Sequence, residues 1–222
     1  PVLNAMFQRI YGENPYKSPT DMGVNMAGYC IENDENCCYA SRLEIIRRYY
    51  TALCDLRKGN GAQSIVDKLE LLMEKANVST NDRPVISAAK QKATLTGDPA
   101  AAIELPDGTI ITGKTSSLLG AVSAMLLNAL KVLGGIDDSV NLMSPEIIEP
   151  IQHLKTAHLG NHNPRLHLDE MLFALTICAT HDPNAETAMQ QLEKLHGCEV
   201  HSSVILSEVD ANTFKKLGVN VT

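Results

Sequence analysis

The sequence predicts an α+β chain: an N-terminal helical segment, then a small mixed β-sheet (hairpin plus βαβ) packed by several helices. Three observations carry that expectation. Apolar residues recur three and four apart through 42–57 and 63–76, the period of a helix with one buried face. Pro106-Asp107-Gly108 is a turn signal between the short extended runs 102–105 and 109–112. Residues 200–206, 210–217 and 219–221 read as strand, short helix and strand, the last two joined through Gly218.

In chain order, the first helix puts Leu43, Ile46, Tyr50 and Leu53 on one face and ends at Gly59 and Gly61. The next repeats the pattern with Ile65, Leu69 and Leu72, and Asn77 is its stop. A polar link, 78–84, leads to a weaker helix over 85–95. Thr96-Gly97-Asp98-Pro99 then marks a boundary, giving a helical segment 1–96 and an α+β domain 97–222. After the hairpin, 117–133 is apolar nearly all round, as a helix buried on most sides must be. Ser144-Pro145 caps and opens a helix reaching Leu159, bent at Pro150 and stopped by Gly160. Residues 169–179 and 186–195 form a helix pair across His181-Asp182-Pro183, and Gly197 closes the second member.

Composition narrows the function. The 222 residues are 44% hydrophobic, enough for a sizeable core that must rest on aliphatic residues, since Trp is absent and Phe scarce. A net charge of −7 with scattered Lys and Arg argues against nucleic acid as a partner. The longest uncharged run, 115–130, is too short and too polar to span a membrane, and the start shows no signal-peptide pattern. Six Cys without a C-x-x-C spacing fit reduced thiols, hence a cytoplasmic setting. The chain starts without Met and stops inside a strand-like run, as a piece of a longer protein would.

Gly108-Thr109-Ile110-Ile111-Thr112-Gly113-Lys114-Thr115 satisfies G-x-x-x-x-G-K-[ST], the loop that cradles nucleotide phosphates with backbone amides and a Lys. Its middle is four β-branched residues, which favour extended backbone over a curled loop, so a hairpin is the favoured reading. In both readings Lys114, Thr115, Ser116 and Ser117 open a long helix. Free amides and a positive dipole end there make these four a candidate anion site, with simple helix capping as the alternative.

Two polar, Pro-stiffened stretches add candidates. In 161–167, Arg165 and His167 are groups that bind anions or move protons. In 13–29, Lys17, Asp21 and Asn25 gather at one helix start. A cleft shared by Lys17, Asp21, Asn25, Arg165 and His167 is the expectation, against ordinary capped and hydrogen-bonded connections. All seven His lie within 153–201, but their spacing is poor for a metal. His153 and His158, five apart on a helix, are expected to point in different directions. The group to test is His158, His162, His167 and Asp169. No metal and no cofactor is named.

Pro1-Val2-Leu3-Asn4-Ala5-Met6-Phe7, the stretch from Ser18-Pro19-Thr20 to Gly28, Glu44-Ile45-Ile46-Arg47-Arg48-Tyr49-Tyr50 and the run 103–130 resemble the bacterial family catalogued as domain of unknown function 1846. Asn163-Pro164-Arg165-Leu166-His167 and Ser203-Val204-Ile205-Leu206-Ser207 are similar to it too, so the resemblance covers nearly the whole chain. Least similar is 33–40, with Cys37-Cys38, which are given no role. The resemblance implies the C-terminal half of a longer cytoplasmic protein whose upstream N-terminal domain carries its own glycine-rich phosphate loop. It also implies kinship with proteins sometimes labelled ATP-dependent peptidases.

The leading expectation is therefore a portion that binds a phosphate- or nucleotide-type anion at a helix N-terminus. The alternatives are a non-catalytic module that assembles into a homo-oligomer in support of the upstream domain, and, weaker, a metallopeptidase. The sequence leaves open whether the chain is an enzyme.

Overall fold

A computed structural model of the chain describes residues 2–12 and 34–222. Two compact units divide between Asp82 and Arg83. In the first, α1 (Val2–Tyr11), α2 (Asp34–Arg57) and α3 (Gln63–Lys75) are followed by a 3₁₀ turn, Thr80–Asp82. Helix α2 begins upstream of the predicted residue 42. Leu43 and Ile46 of α2 are buried as their apolar period expects. In α3 the buried residues are Val66 and Met73, while Ile65 and Leu72 of the expected face stand exposed. The Tyr49 hydroxyl donates to Glu70 Oε1 at 3.2 Å. Asn77 stops the run with a left-handed φ of 50°, a conformation Asn tolerates better than most residues.

The second unit runs α4 (Pro84–Thr96), β1 (Ala100–Glu104), β2 (Ile110–Lys114), α5 (Ala121–Gly134), α6 (Pro145–His153), a π turn (Leu154–His158), α7 (Leu168–Ala179), α8 (Pro183–Gln190), a 3₁₀ turn (Leu192–Leu195), β3 (Glu199–Ser202), α9 (Glu208–Lys216) and β4 (Asn220–Val221). The four strands form one mixed sheet in the order β2-β1-β3-β4. β1 is antiparallel to β2 and to β3, while β3 and β4 run parallel through the α9 crossover. The chain is thus α+β, with hairpin and βαβ unit in a single sheet. The strand predicted over 200–206 is shorter, ending at Ser202.

Side chains of β1 alternate between two cores, as the two-residue period of a strand requires. Ala101 and Ile103 join the large cluster built on α5 and α7, whereas Ala102 packs with Val85 and Ala89 of α4. Helix α4, grouped in the sequence with the helical front, packs against this sheet. Helix α5 buries Val122, Met125, Leu126, Ala129 and Leu130, which accounts for its apolar circumference.

Candidate functional site

The phosphate-loop motif folds as a hairpin. Ala101 pairs with Gly113 and Ile103 with Ile111, and Gly108 takes the turn at φ +83°. Its second glycine serves packing. A Cβ at Gly113 would lie 2.1 Å from the Met125 amide nitrogen, so only glycine lets α5 cross β2 this closely. Lys114 ends β2 and pairs with Asp98 at 2.9 Å, both side chains about half exposed.

The expectation that Lys114 to Ser117 open a helix is corrected: α5 begins at Ala121. The intervening loop is held by its own hydroxyl. Ser116 Oγ accepts from the amides of Leu118 and Leu119 at 3.2 and 3.0 Å, and this local bonding competes with helix formation. Ser117 offers its carbonyl to Gln152 Nε2 at 3.3 Å. Of the four residues, Thr115 alone lines the cleft described next.

That cleft, about 260 Å³, opens where the first turn of α5 meets the 161–167 loop and the start of α9. Leu119 and Leu166 form a parallel bridge that joins the two loops. The Leu166 amide donates to Leu118 O at 2.9 Å, and the Gly120 amide donates to Leu166 O at 3.3 Å. Gly120 caps α5 without a side-chain acceptor. The amides of Ala121, Val122 and Ser123 therefore meet no acceptor among the described residues, and all three residues line the cleft.

Arg165 and His167, both expected, face this same space. The Arg165 Nε donates to Ser116 O at 2.7 Å, which fixes the guanidinium against the wall. Beneath it, the buried Lys155 donates from Nζ to Arg165 O and to Glu170 Oε2, each at 2.6 Å. Glu170 in turn accepts the His167 amide at 2.7 Å. This Lys155–Glu170 clasp sets the loop and the start of α7 together.

Two residues that sequence reasoning missed complete the site. Asp210, buried at the start of α9, accepts the Leu168 amide at 2.8 Å and the Ser207 hydroxyl at 2.7 Å, and stands 3.3 Å from His167 Nδ1. Ser207 Oγ caps α9 by accepting the Asp210 amide at 3.1 Å. The signal was present as Ser207-Glu208-Val209-Asp210, a capping-box spacing. Val204 and Ile205, both partly exposed, add an apolar rim.

Lys17, Asp21 and Asn25 lie outside the described residues, so the structure brings Arg165 and His167 together without testing the rest of that group. The pairing of His153 and His158 departs from expectation. Pro150 has no amide to give, and past it the helix relaxes into a π turn in which the Leu159 amide donates to Leu154 O at 3.1 Å. A five-residue hydrogen-bond step stacks residues five apart, and the two imidazoles meet edge to face at 5.5 Å. Among the described residues no three of His, Cys, Asp and Glu come together to hold a metal ion.

A second polar cluster sits on the sheet, closed to solvent. Arg83 is fully buried: Nε donates to Glu199 Oε2 at 2.7 Å, Nη2 to the carbonyls of Val200 and Asn220 at 2.8 and 3.0 Å, and Nη1 to Thr222 Oγ1. His201 Nδ1 lies 2.8 Å from that same hydroxyl. Burial, with Arg83 and Lys90 nearby, lowers the His201 pKa to about 3. Burial followed by the Glu104 and Glu199 charges pushes the Cys198 thiol up to about 11, which leaves it protonated and unreactive.

An α+β chain of two units, with a donor-lined cleft in the second, is the class that fold and site define. The chain belongs to the DUF1846 family. The model described as "Domain of unknown function DUF1846, C-terminal" matches residues 81–222, and its N-terminal counterpart matches 1–77. The match therefore reaches beyond the C-terminal half that the resemblance implied, and its seam falls just ahead of the division between the compact units. Among curated relatives are UPF0371 proteins of Corynebacterium urealyticum, Corynebacterium diphtheriae and Streptococcus pyogenes, 52%, 53% and 52% identical over all 222 residues. The chain spans 45% of each of these relatives. No helix among the described residues is long and apolar enough to cross a membrane.

Proposed function

We propose that the second unit binds a small molecule through a phosphate- or carboxylate-type anionic group in the α5 cleft. One observation carries the reading: Ala121, Val122 and Ser123, whose amides meet no acceptor among the described residues, line a single space of about 260 Å³ together with Arg165 and His167. Backbone amides at a helix start supply fixed donors and the favourable end of the dipole. A guanidinium adds charge and a planar fork suited to oxyanions. Val204 and Ile205 at the rim suit an apolar portion of the same ligand. The anion site thereby moves from Lys114, Ser116 and Ser117 to Ala121–Ser123 with Arg165, and Thr115 stays at its edge.

Calorimetric titration with sulfate tests this. Arg165→Gln is expected to weaken binding about tenfold or more, the scale of one lost charge-assisted hydrogen bond. Equal affinity in both proteins would remove Arg165 from the site.

The assembly alternative rested on the apolar α5, and that helix covers its apolar surface within its own unit. We attach that reading instead to a second copy of this chain meeting α7, where Phe173 and Ile177 stand 68% and 52% exposed one turn apart. A dimer by light scattering that persists in Phe173→Glu would contradict it. Partnership with an upstream nucleotide-binding domain belongs with these proposals.

A further inference from the structure

We propose that the ligand of the α5 cleft is a short aliphatic oxyanion, with Val204 and Ile205 as the residues that select its chain against a nucleotide; this rests on the anion reading above. The class is a phosphate or carboxylate head on a few saturated carbons.

The lining divides by element into donors and an apolar wall. Donors come from the first turn of α5 and from Arg165. Ser202, 6% exposed at the end of β3, adds one from the sheet. Its Oγ accepts the Val204 amide at 3.3 Å, and its hydroxyl proton meets no acceptor among the described residues. The apolar wall is Val204-Ile205-Leu206, between β3 and α9, with Pro99 and Val122. That run is pinned at both ends. The Ser203 amide donates to Ala100 O at 2.8 Å, and Ser203 Oγ accepts the Ala100 amide at 2.9 Å. Ser207 holds the other end by capping α9. Between the pins Val204 and Ile205 stand 47% and 39% exposed. A fixed apolar wall beside fixed donors suits a ligand with the same division.

Size and the remaining polar groups narrow the class. A cleft of about 260 Å³ has the room of roughly nine waters at ~30 Å³ each. An oxyanion head takes several of those places, which leaves space for a short chain and not for a ribose and a base. Bases in protein sites are commonly stacked on aromatic faces, and no Phe, Tyr or Trp is among the described residues lining this cleft. Sugar hydroxyls and base amines also need acceptors. The side-chain acceptors here are engaged: Asp210 takes the Leu168 amide and the Ser207 hydroxyl, and Asn163 Oδ1 takes the Arg165 amide at 3.2 Å.

Calorimetry with matched pairs reads the chain apart from the head. Methyl phosphate is titrated against n-butyl phosphate, and acetate against valerate, so that the two pairs separate a phosphate from a carboxylate head. In at least one pair the longer ligand is expected to bind about tenfold tighter, a fraction of what full burial of the added methylenes yields. Val204→Asn and Ile205→Asn, both at partly exposed loop positions, are each expected to bring that ratio down to about threefold. AMP is expected to bind more weakly than the tighter of the two long-chain ligands. A ratio near one in both pairs, an undiminished ratio in both variants, or AMP as the tightest ligand would each overturn this proposal, and sulfate binding beside any of them would leave the anion reading standing. Absence of binding by sulfate and by both pairs would overturn both.

Discussion

The second unit assembles the same ingredients twice, with opposite results. In the Arg83 cluster a carboxylate, a His, a guanidinium and a Thr hydroxyl are sealed, and the Arg83 donors are taken up by Glu199, Thr222 and two carbonyls. In the α5 cleft the Asp210 carboxylate is equally buried, but His167 and Arg165 line open space together with Ala121, Val122 and Ser123, whose amides meet no acceptor among the described residues. Closure is what differs. A saturated cluster ties β3 and β4 to the start of α4 and has nothing left to offer a ligand. An unsaturated one keeps donors that the protein does not use itself. Buried polar groups normally find partners, so unaccepted amides beside a fixed Arg are the feature that asks for an outside acceptor.

The contrast predicts different responses to damage. The largest effect belongs to the sealed cluster. Arg83→Ala takes the cation from the buried Glu199 carboxylate and the side-chain donor from Asn220 O, and is expected to cost about 3–5 kcal/mol in urea unfolding. A loss within about 1 kcal/mol would mean that water reaches the cluster and that the contrast fails.

Next comes the pH response of His201. Its folded pKa of about 3 lies below the ordinary 6.5, so the unfolded chain takes up a proton that the folded chain refuses. Stability is therefore full above pH 6.5 and is lost as pH falls toward 3, by up to about 1.4 kcal/mol per unit. His201→Asn should flatten that part of the profile, compared with wild type at each pH. An unchanged slope would place the titration elsewhere.

The smallest effect is at the motif that looked most functional. Lys114→Ala removes an exposed pair with Asp98 and is expected to change stability by less than about 1 kcal/mol. It should leave sulfate affinity unchanged. A loss of sulfate binding in this variant would restore Gly108–Thr115 as a phosphate site and break the hairpin account.

How much of this was legible in the sequence follows from how local each cause is. The hairpin was readable because Pro106-Asp107-Gly108 and four β-branched residues act over a few positions. Arg165 and His167 were readable as a Pro-stiffened polar loop. The start of α5 was not, because Thr115, Ser116 and Ser117 look like caps until Ser116 is seen to hold its own loop. Glu199 lies 116 residues from Arg83, and no periodicity marks a partner at that distance. The His153–His158 contact needed the π step, which Pro150 hinted at and helical spacing concealed. Lys155 carried no signal: a Lys near a helix end reads as surface, yet here it is buried between Arg165 O and Glu170.

The most direct test of the open cleft is a sulfate titration followed by backbone amide chemical shifts. The account predicts saturable downfield shifts of the Ala121, Val122 and Ser123 amides, with Arg165 Nη protons moving at the same midpoint. Shifts confined to Gly113, Lys114 and Thr115, or no saturable shift at α5, would contradict it.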